Sequence, residues 1–420
     1  MKFLTAIFKY NDLKRRIGYS LLMLVLYRLG SHIPISGIDL SSLEDLVNSN
    51  NLISFIDLFS GGSFSRFSVF SLGILPYINA SIIMQLMSFA LPEVKSILEE
   101  GESGRKKISQ WTRYLTVGLA LLQAVVIAIG FKTFLLPDVF FPFFLVYSII
   151  SLVAGACLVM YIGERMTENG IGNGASLIIF IGIISQLPFY VKNSISLVQA
   201  GTHPISVLIM VFILIFMIFS IILIQEAERK IPVQYAKRVV GRKMYGGQST
   251  FIPLRLIQGG VLPIIFASAL LQFPLVISNF IPVAAIQSFI ATYYSYDGIF
   301  YNAFFCLLIF FFTYFYTAIS FNPKDIAMNI KKYGGFIMGV RPGAPTEAFL
   351  ESTVTKLTFF GAFFLSFVAL LPIVGAVTTN VNSFMGLGGT ALLIIVGVSL
   401  DLLRQIDSVI LQKEYESIVN

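Results

Sequence analysis

The stretch Phe59–Leu86, FSGGSFSRFSVFSLGILPYINASIIMQL, lies in a strongly apolar chain but does not read as an ordinary membrane span. It opens with Gly61-Gly62, carries Arg66, is dotted with serines, and has Pro76 where the centre of a spanning helix is expected, with Asn79 and Gln85 further on. Irregular backbone facing lipid leaves polar groups unpaired, so it is tolerated at bilayer depth only inside protein or beside water. Leu52–Arg66 is too short to span and is expected to re-enter from the outer face. A helix over 67–91 would then turn Ser71, Asn79, Ser81 and Gln85 toward an aqueous route, with Pro76 freeing a backbone carbonyl one turn earlier. The competing reading has the serines bonded to their own backbone, with Asn79 and Gln85 gluing the helix to a neighbour. The residues alone leave both open.

Working outward, the chain has 420 residues, 56% hydrophobic and only 12% charged, with mean hydropathy +0.83. Soluble domains carry roughly a quarter charged residues, so a membrane protein is expected. The two histidines, His32 and His203, and two cysteines, Cys157 and Cys306, show no ligand spacing, so neither a metal site nor a cofactor is expected. No metalloprotease, nucleophile-elbow or phosphate-loop pattern occurs, and no catalytic residue is assigned. The glycine-rich GIGNG, Gly170–Gly174, reads as a tight turn. KYNDLKRR, Lys9–Arg16, precedes the first apolar run without a cleavage site and reads as a cytosolic anchor.

Ten apolar segments are candidates for spans: 17–35, 67–91, 114–131, 139–162, 175–191, 205–225, 257–280, 299–321, 357–378 and 388–411. With a cytosolic N-terminus, alternate connections should hold the Lys and Arg. Of the 29 basic residues only Arg28, Arg66, Lys132 and Lys192 fall elsewhere, which supports ten spans with both ends cytosolic. Two inward connections are unusually long, at about 225–256 and 322–356. Topology explains their charge but not their length, and docking of a large acidic partner is the alternative. Five spans per half, 1–200 and 201–420, would make the second half inverted relative to the first. Arg28, Asp401 and Arg404 are the deepest charges, and each lies near a segment end. That disfavours the main alternative, an inverted-repeat secondary transporter, which needs a substrate pocket and a coupling ion near the midplane. An intramembrane enzyme would need paired carboxylates, a serine site or a metal cluster within the spans.

Eight stretches in order then carry a resemblance: YRLGSHIPISGID (Tyr27–Asp39), FSGGSFSRFSVFSLGILPYINASII (Phe59–Ile83), EGESGRKKISQWTRY (Glu100–Tyr114), GERMTENGIGNGAS (Gly163–Ser176), RKIPVQYAKRVVGRKMYGGQSTFIPLRL (Arg229–Leu256), GGVLPIIFAS (Gly259–Ser268), FNPKDIAMNIKKYGGFIMGVRPG (Phe321–Gly343) and GGTALLI (Gly388–Ile394). Together they resemble the SecY family, channel subunits of the bacterial and plastid-type Sec protein translocase. The resemblance implies an all-α polytopic membrane protein, with ten transmembrane helices in two pseudo-symmetric inverted five-helix halves around a central pore. It implies a protein-conducting channel for signal-bearing polypeptides that also releases apolar segments into membrane lipids.

Residue roles follow from the same resemblance. The plug is 52–66, including Phe59, Gly61, Gly62 and Arg66. One lateral-gate wall is 67–91, with Asn79 and Gln85; the other is 257–280, with Ser268, and 299–321, while 114–131 flanks the first. The pore ring is Ile74, Ile78, Ile179, Ile265 and Ile394, with small Ser268-Ala269 where the family often has a sixth member. Lys237, Arg238, Arg242, Lys243 and Arg341 are implied to dock the ribosome or a SecA-type ATPase motor. SecE-like and SecG-like small membrane subunits are implied partners. The resemblance leaves a bacterial plasma membrane and a plastid thylakoid membrane both open.

Overall fold

The computed structural model describes residues 10–43, 57, 59–199, 201, 203–235, 238–240, 243–245, 249–278, 298–379 and 388–419. Helix occurs in each of the ten expected segments. In the first part of the chain these are α1 (Asn11–Gly30), α2 (Leu75–Ala90), α4 (Glu102–Gly130), α5 (Phe141–Asn169) and α6 (Gly174–Gln199). A short α3 (Pro92–Glu99) follows α2. The later part holds α7 (Pro204–Glu226), α8 (Leu262–Ser278), α9 (Ile299–Ser320), a short α10 (Pro323–Lys332), α11 (Ala344–Thr379) and α12 (Gly389–Val419).

Among the described residues seven helices are long and apolar enough to cross a membrane, or eight if the α2–α3 pair, bent by 99°, is one span. The expected ten exceed this because α1 spends its first turns on Asp12, Lys14, Arg15 and Arg16, and α8 has only 17 residues. The surface is apolar where lipid would lie. On α7, Leu208, Phe212, Ile215 and Phe219 are all exposed. A helix hydrophobic all round and barely covered by its own protein is a membrane helix.

The opening stretch departs from its expected form. Helix begins only at Leu75, so Pro76 stands in the first turn and not at the centre. There its missing N–H is one the helix would leave unpaired anyway, and no mid-helix carbonyl is freed. Before Leu75 the chain is a run of turns stitched locally: Ser71 Oγ donates to the Ser68 and Ser63 carbonyls at 2.6 and 2.9 Å, and Gly73 N to the Phe70 carbonyl at 2.8 Å. This run is tied to the loop after α1, with Ile35 N donating to Phe67 O at 2.9 Å and Val69 N to Ile33 O at 3.0 Å. Ser71 therefore serves backbone, as the competing sequence reading had it, whereas Ser81 and Gln85 line a cavity, as the aqueous reading had it.

The helical expectation also omitted a small sheet. β1 (Glu228–Tyr235) pairs antiparallel with β4 (Ser249–Arg255), from Glu228 opposite Arg255 to Gln234 opposite Ser249. β5 (Gly335–Ile337), from the second long basic connection, adds to the other edge of β1, giving the order β4-β1-β5. Two further short strands, β2 (Arg238–Val240) and β3 (Lys243–Tyr245), pair with each other. Ile231, Val233, Leu254, Ile330, Ile337, Leu350 and Val354 form the core of this module. The two basic connections are thus one folded unit, mounted on the start of α11.

Candidate functional site

The segment expected to re-enter lies buried between α1 and α6. Of the predicted plug, 52–56 and Leu58 lie outside the described residues; Asp57, Phe59, Ser60 and Ser63 are buried. Gly61 and Gly62 have φ of +69° and +81°, a backbone region costly for residues with a β-carbon. A Cβ on Gly61 would also meet the Gly182 Cα of α6 at 2.8 Å, so only paired glycines permit this approach. Three hydrogen bonds join the segment to its neighbours, and a fourth links those neighbours to each other. Tyr27 OH donates to Ser60 O at 3.2 Å and Gln186 Nε2 to Asp57 Oδ2 at 3.3 Å, while Arg28 Nη1 donates to Gly61 O at 2.9 Å and also to Ser185 Oγ at 3.0 Å. Asp57 Oδ1 accepts from Ser65 N at 2.9 Å and closes the loop on itself. Arg66 Nη1 is buried without a hydrogen-bond partner among the described residues.

The predicted isoleucines converge. Ile74, Ile78, Ile179, Ile265 and Ile394 are each no more than 5% exposed and belong to one apolar cluster. Three of them, Ile78, Ile179 and Ile265, line a cavity of about 370 Å³. Ile74 and Ile394 are not on its wall; Ile74 instead reaches α5, where a Cβ on Gly163 would lie 3.2 Å from its Cδ1. The rest of the wall is largely polar, with Ser81, Gln85, Asn173 and the Arg113–Glu164 ion pair, 2.9 Å long, that ties α4 to α5. The GIGNG turn shapes this wall: Gly172 has φ +81°, and Asn173 Oδ1 accepts from Ala175 N at 3.0 Å to cap α6.

Of the predicted gate residues, Gln85 faces the cavity, Asn79 is half-buried, and Ser268 is buried and donates to the Ile264 and Ile265 carbonyls of its own helix. Helix α2 packs against α4 on one side and α8 on the other. Near its end Phe89 meets Phe315 of α9 edge-on, ring centroids 5.6 Å apart.

A SecY family profile matches residues 68–403. The chain belongs to the SecY family. It is 43% identical over 428 residues to the protein translocase subunit SecY of Aquifex aeolicus, covering 100% of this chain and 99% of that one. Its fold is similar to a solved protein-conducting channel at TM-score 0.66 and 20% identity, covering 94% of this chain and 91% of that one. It is similar also to a SecY structure concerned with how the plug domain stabilises the closed state of its channel, at TM-score 0.63 and 21% identity, with the same coverage.

In this SecY-family chain the predicted docking residues divide. Lys237 and Arg242 lie outside the described residues, and Arg238 and Lys243 are placed by backbone alone, in β2 and β3. Arg341 is exposed, in the turn between β5 and α11, where its carbonyl accepts from Thr346 Oγ1 at 2.8 Å. Sequence reasoning missed Tyr27, Ser185 and Gln186 altogether. Arg28 was legible as a basic residue on the wrong side of the charge pattern, but nothing in the sequence showed what it holds.

Proposed function

We propose that this chain is the channel subunit of a protein translocase, not an enzyme. Signal-bearing polypeptides pass through an apolar constriction at Ile78, Ile179 and Ile265, completed by Ile74 and Ile394, and apolar segments leave sideways between α2 and the α8–α9 wall. The observation that carries this reading is the convergence of branched aliphatics from α2, α6 and α8 on one cavity whose other lining residues are mostly polar. Such an apolar cluster sheds water and offers no fixed polar partner, so it closes a pore without selecting among side chains. An apolar segment that reaches the side opening is drawn into lipid by its own transfer free energy. Ten spans in two inverted halves, 1–200 and 201–420, with both termini on the cytosolic or stromal face, agree with the charge distribution. The buried segment around Gly61 then acts as the plug, and the basic sheet module docks a ribosome or an ATPase motor, whose work drives transport. SecE-like and SecG-like subunits complete the assembly. The membrane is a bacterial plasma membrane or a plastid thylakoid.

The test is a site-specific disulfide. In a chain with Cys157 and Cys306 replaced, Ile78→Cys is paired with an arrested precursor bearing one cysteine. A disulfide that depends on the precursor's signal sequence is expected. Its absence at positions 78, 179 and 265 alike, together with ion-driven solute uptake, would overturn the channel in favour of a transporter.

A further inference from the structure

The polar contacts between the re-entrant segment and its neighbours have no part in the reading above. On either flank the segment is held by apolar packing, through Phe59 in one core cluster and Phe64 in another. Between them, Ser60, Gly61, Gly62 and Ser63 have no large side chain to bury. Bonds within the segment and from Ser68 and Ser71 shape this turn, and two hydrogen bonds tie it to α1: Tyr27 to the Ser60 carbonyl, and Arg28 to the Gly61 carbonyl. A guanidinium in this half-buried setting is costly unless its donors are engaged, so intramembrane arginines mark functional contacts. Here one nitrogen serves both the turn and Ser185 of α6, so Arg28 bridges three separate parts of the chain. Its acceptor is a carbonyl of the turn that needs left-handed glycine, with φ +69° at Gly61, and Gly182 of α6 leaves it room.

We propose that Tyr27 and Arg28 of α1, with Ser185 of α6, form a latch that holds the re-entrant segment in the closed position. They are positioning residues for gating: they touch the plug and not the moving polypeptide. The proposal rests on the channel reading. Opening requires the two carbonyls to exchange these donors for others. Since both acceptors are backbone atoms, no substitution within the plug removes them, and the latch can be tested only from the donor side.

The experiment uses the assembled translocase in proteoliposomes, with Cys157 and Cys306 replaced and Ser63→Cys as reporter. Ser63 is fully buried and its Oγ has no hydrogen-bond partner among the described residues, so this change removes no bond seen there. Labelling by a membrane-impermeant maleimide added on the outer face, without precursor, reads how often the plug leaves its seat. Arg28→Gln is expected to label about tenfold faster than the parent, as loss of a charge-assisted hydrogen bond implies. Tyr27→Phe and Ser185→Ala should show smaller increases. Arg28→Lys should fall between, because it keeps the charge but not the planar donor array. Labelling of Arg28→Gln at the parental rate overturns the latch. If Arg28→Gln fails to assemble, Tyr27→Phe and Ser185→Ala decide, and parental rates in both overturn it. Precursor transport by the parent separates the two ideas: if it persists while labelling is unchanged, the latch falls and the channel stands. If the parent transports nothing, both fall.

Discussion

Gly155 sits on α5 where the helix crosses the turn before α2, and a β-carbon there would collide with the Val69 carbonyl oxygen. Backbone cannot swing aside as the tip of a side chain can. Gly118, on α4, has none of the described residues within 4 Å of where its β-carbon would stand. Gly155→Ala should therefore destabilise the protein by about 1–3 kcal/mol, the usual range for overpacking, while Gly118→Ala should cost nothing. Thermal unfolding of the purified protein in detergent checks this, and equal midpoints for the two variants would contradict the packing described. Nothing in the sequence separates these glycines, since both lie in apolar helical runs and the difference is made by a carbonyl 86 positions from one of them, at residue 69. Pro76 teaches the same lesson. The residue was legible, but whether it breaks a helix or starts one depends on where the helix begins, and that was decided by the serine-stitched turns before it. The isoleucines were legible only through resemblance, because branched aliphatics are ordinary in any membrane helix.

At the scale of elements, the two long basic connections were visible by length and charge, but their fold was not. β1 is the middle strand of its sheet and contains Pro232, which argues against a central strand. The structure resolves this because β5 covers only Val233–Tyr235, so Pro232 has a strand on one side alone. β5 also arrives from far along the chain, beyond α9 and α10, and no local pattern announces it. Mounted on this module, Arg341 has its backbone engaged by Thr346 and its side chain exposed. Arg341→Glu should leave the unfolding midpoint unchanged yet sharply weaken binding to ribosomes or to the ATPase motor. The loss should be greatest at low salt, where exposed charges act at longest range. Cosedimentation across a salt series measures it. Undiminished binding at low salt would remove Arg341 from the docking surface.

For the whole molecule the decisive contact is the seam between α2 and the α8–α9 pair. Each helix there is apolar, so amphipathic pattern could not say which faces which; resemblance set 67–91 opposite 257–280 and 299–321. The structure packs α2 on α8 and closes the far end with Phe89 against Phe315, onto which Phe311 stacks at 6.0 Å. Phe89 is 66% exposed, so this end of the seam is a thin aromatic contact at the surface and not a packed core. An aromatic pair of this kind contributes about 0.5–1.5 kcal/mol beyond its area, little enough for an arriving apolar helix to replace it. If α2 and α9 part here to admit that helix, tying them together must stop the process. Phe89→Cys with Phe315→Cys, in a chain lacking Cys157 and Cys306, can be bridged by a short, reducible bifunctional thiol reagent. Bridging should abolish insertion of apolar segments, and reduction should restore it, while the unbridged double variant inserts normally. A bridged channel that still inserts apolar segments at the unbridged rate would place the lateral exit somewhere other than between α2 and α9.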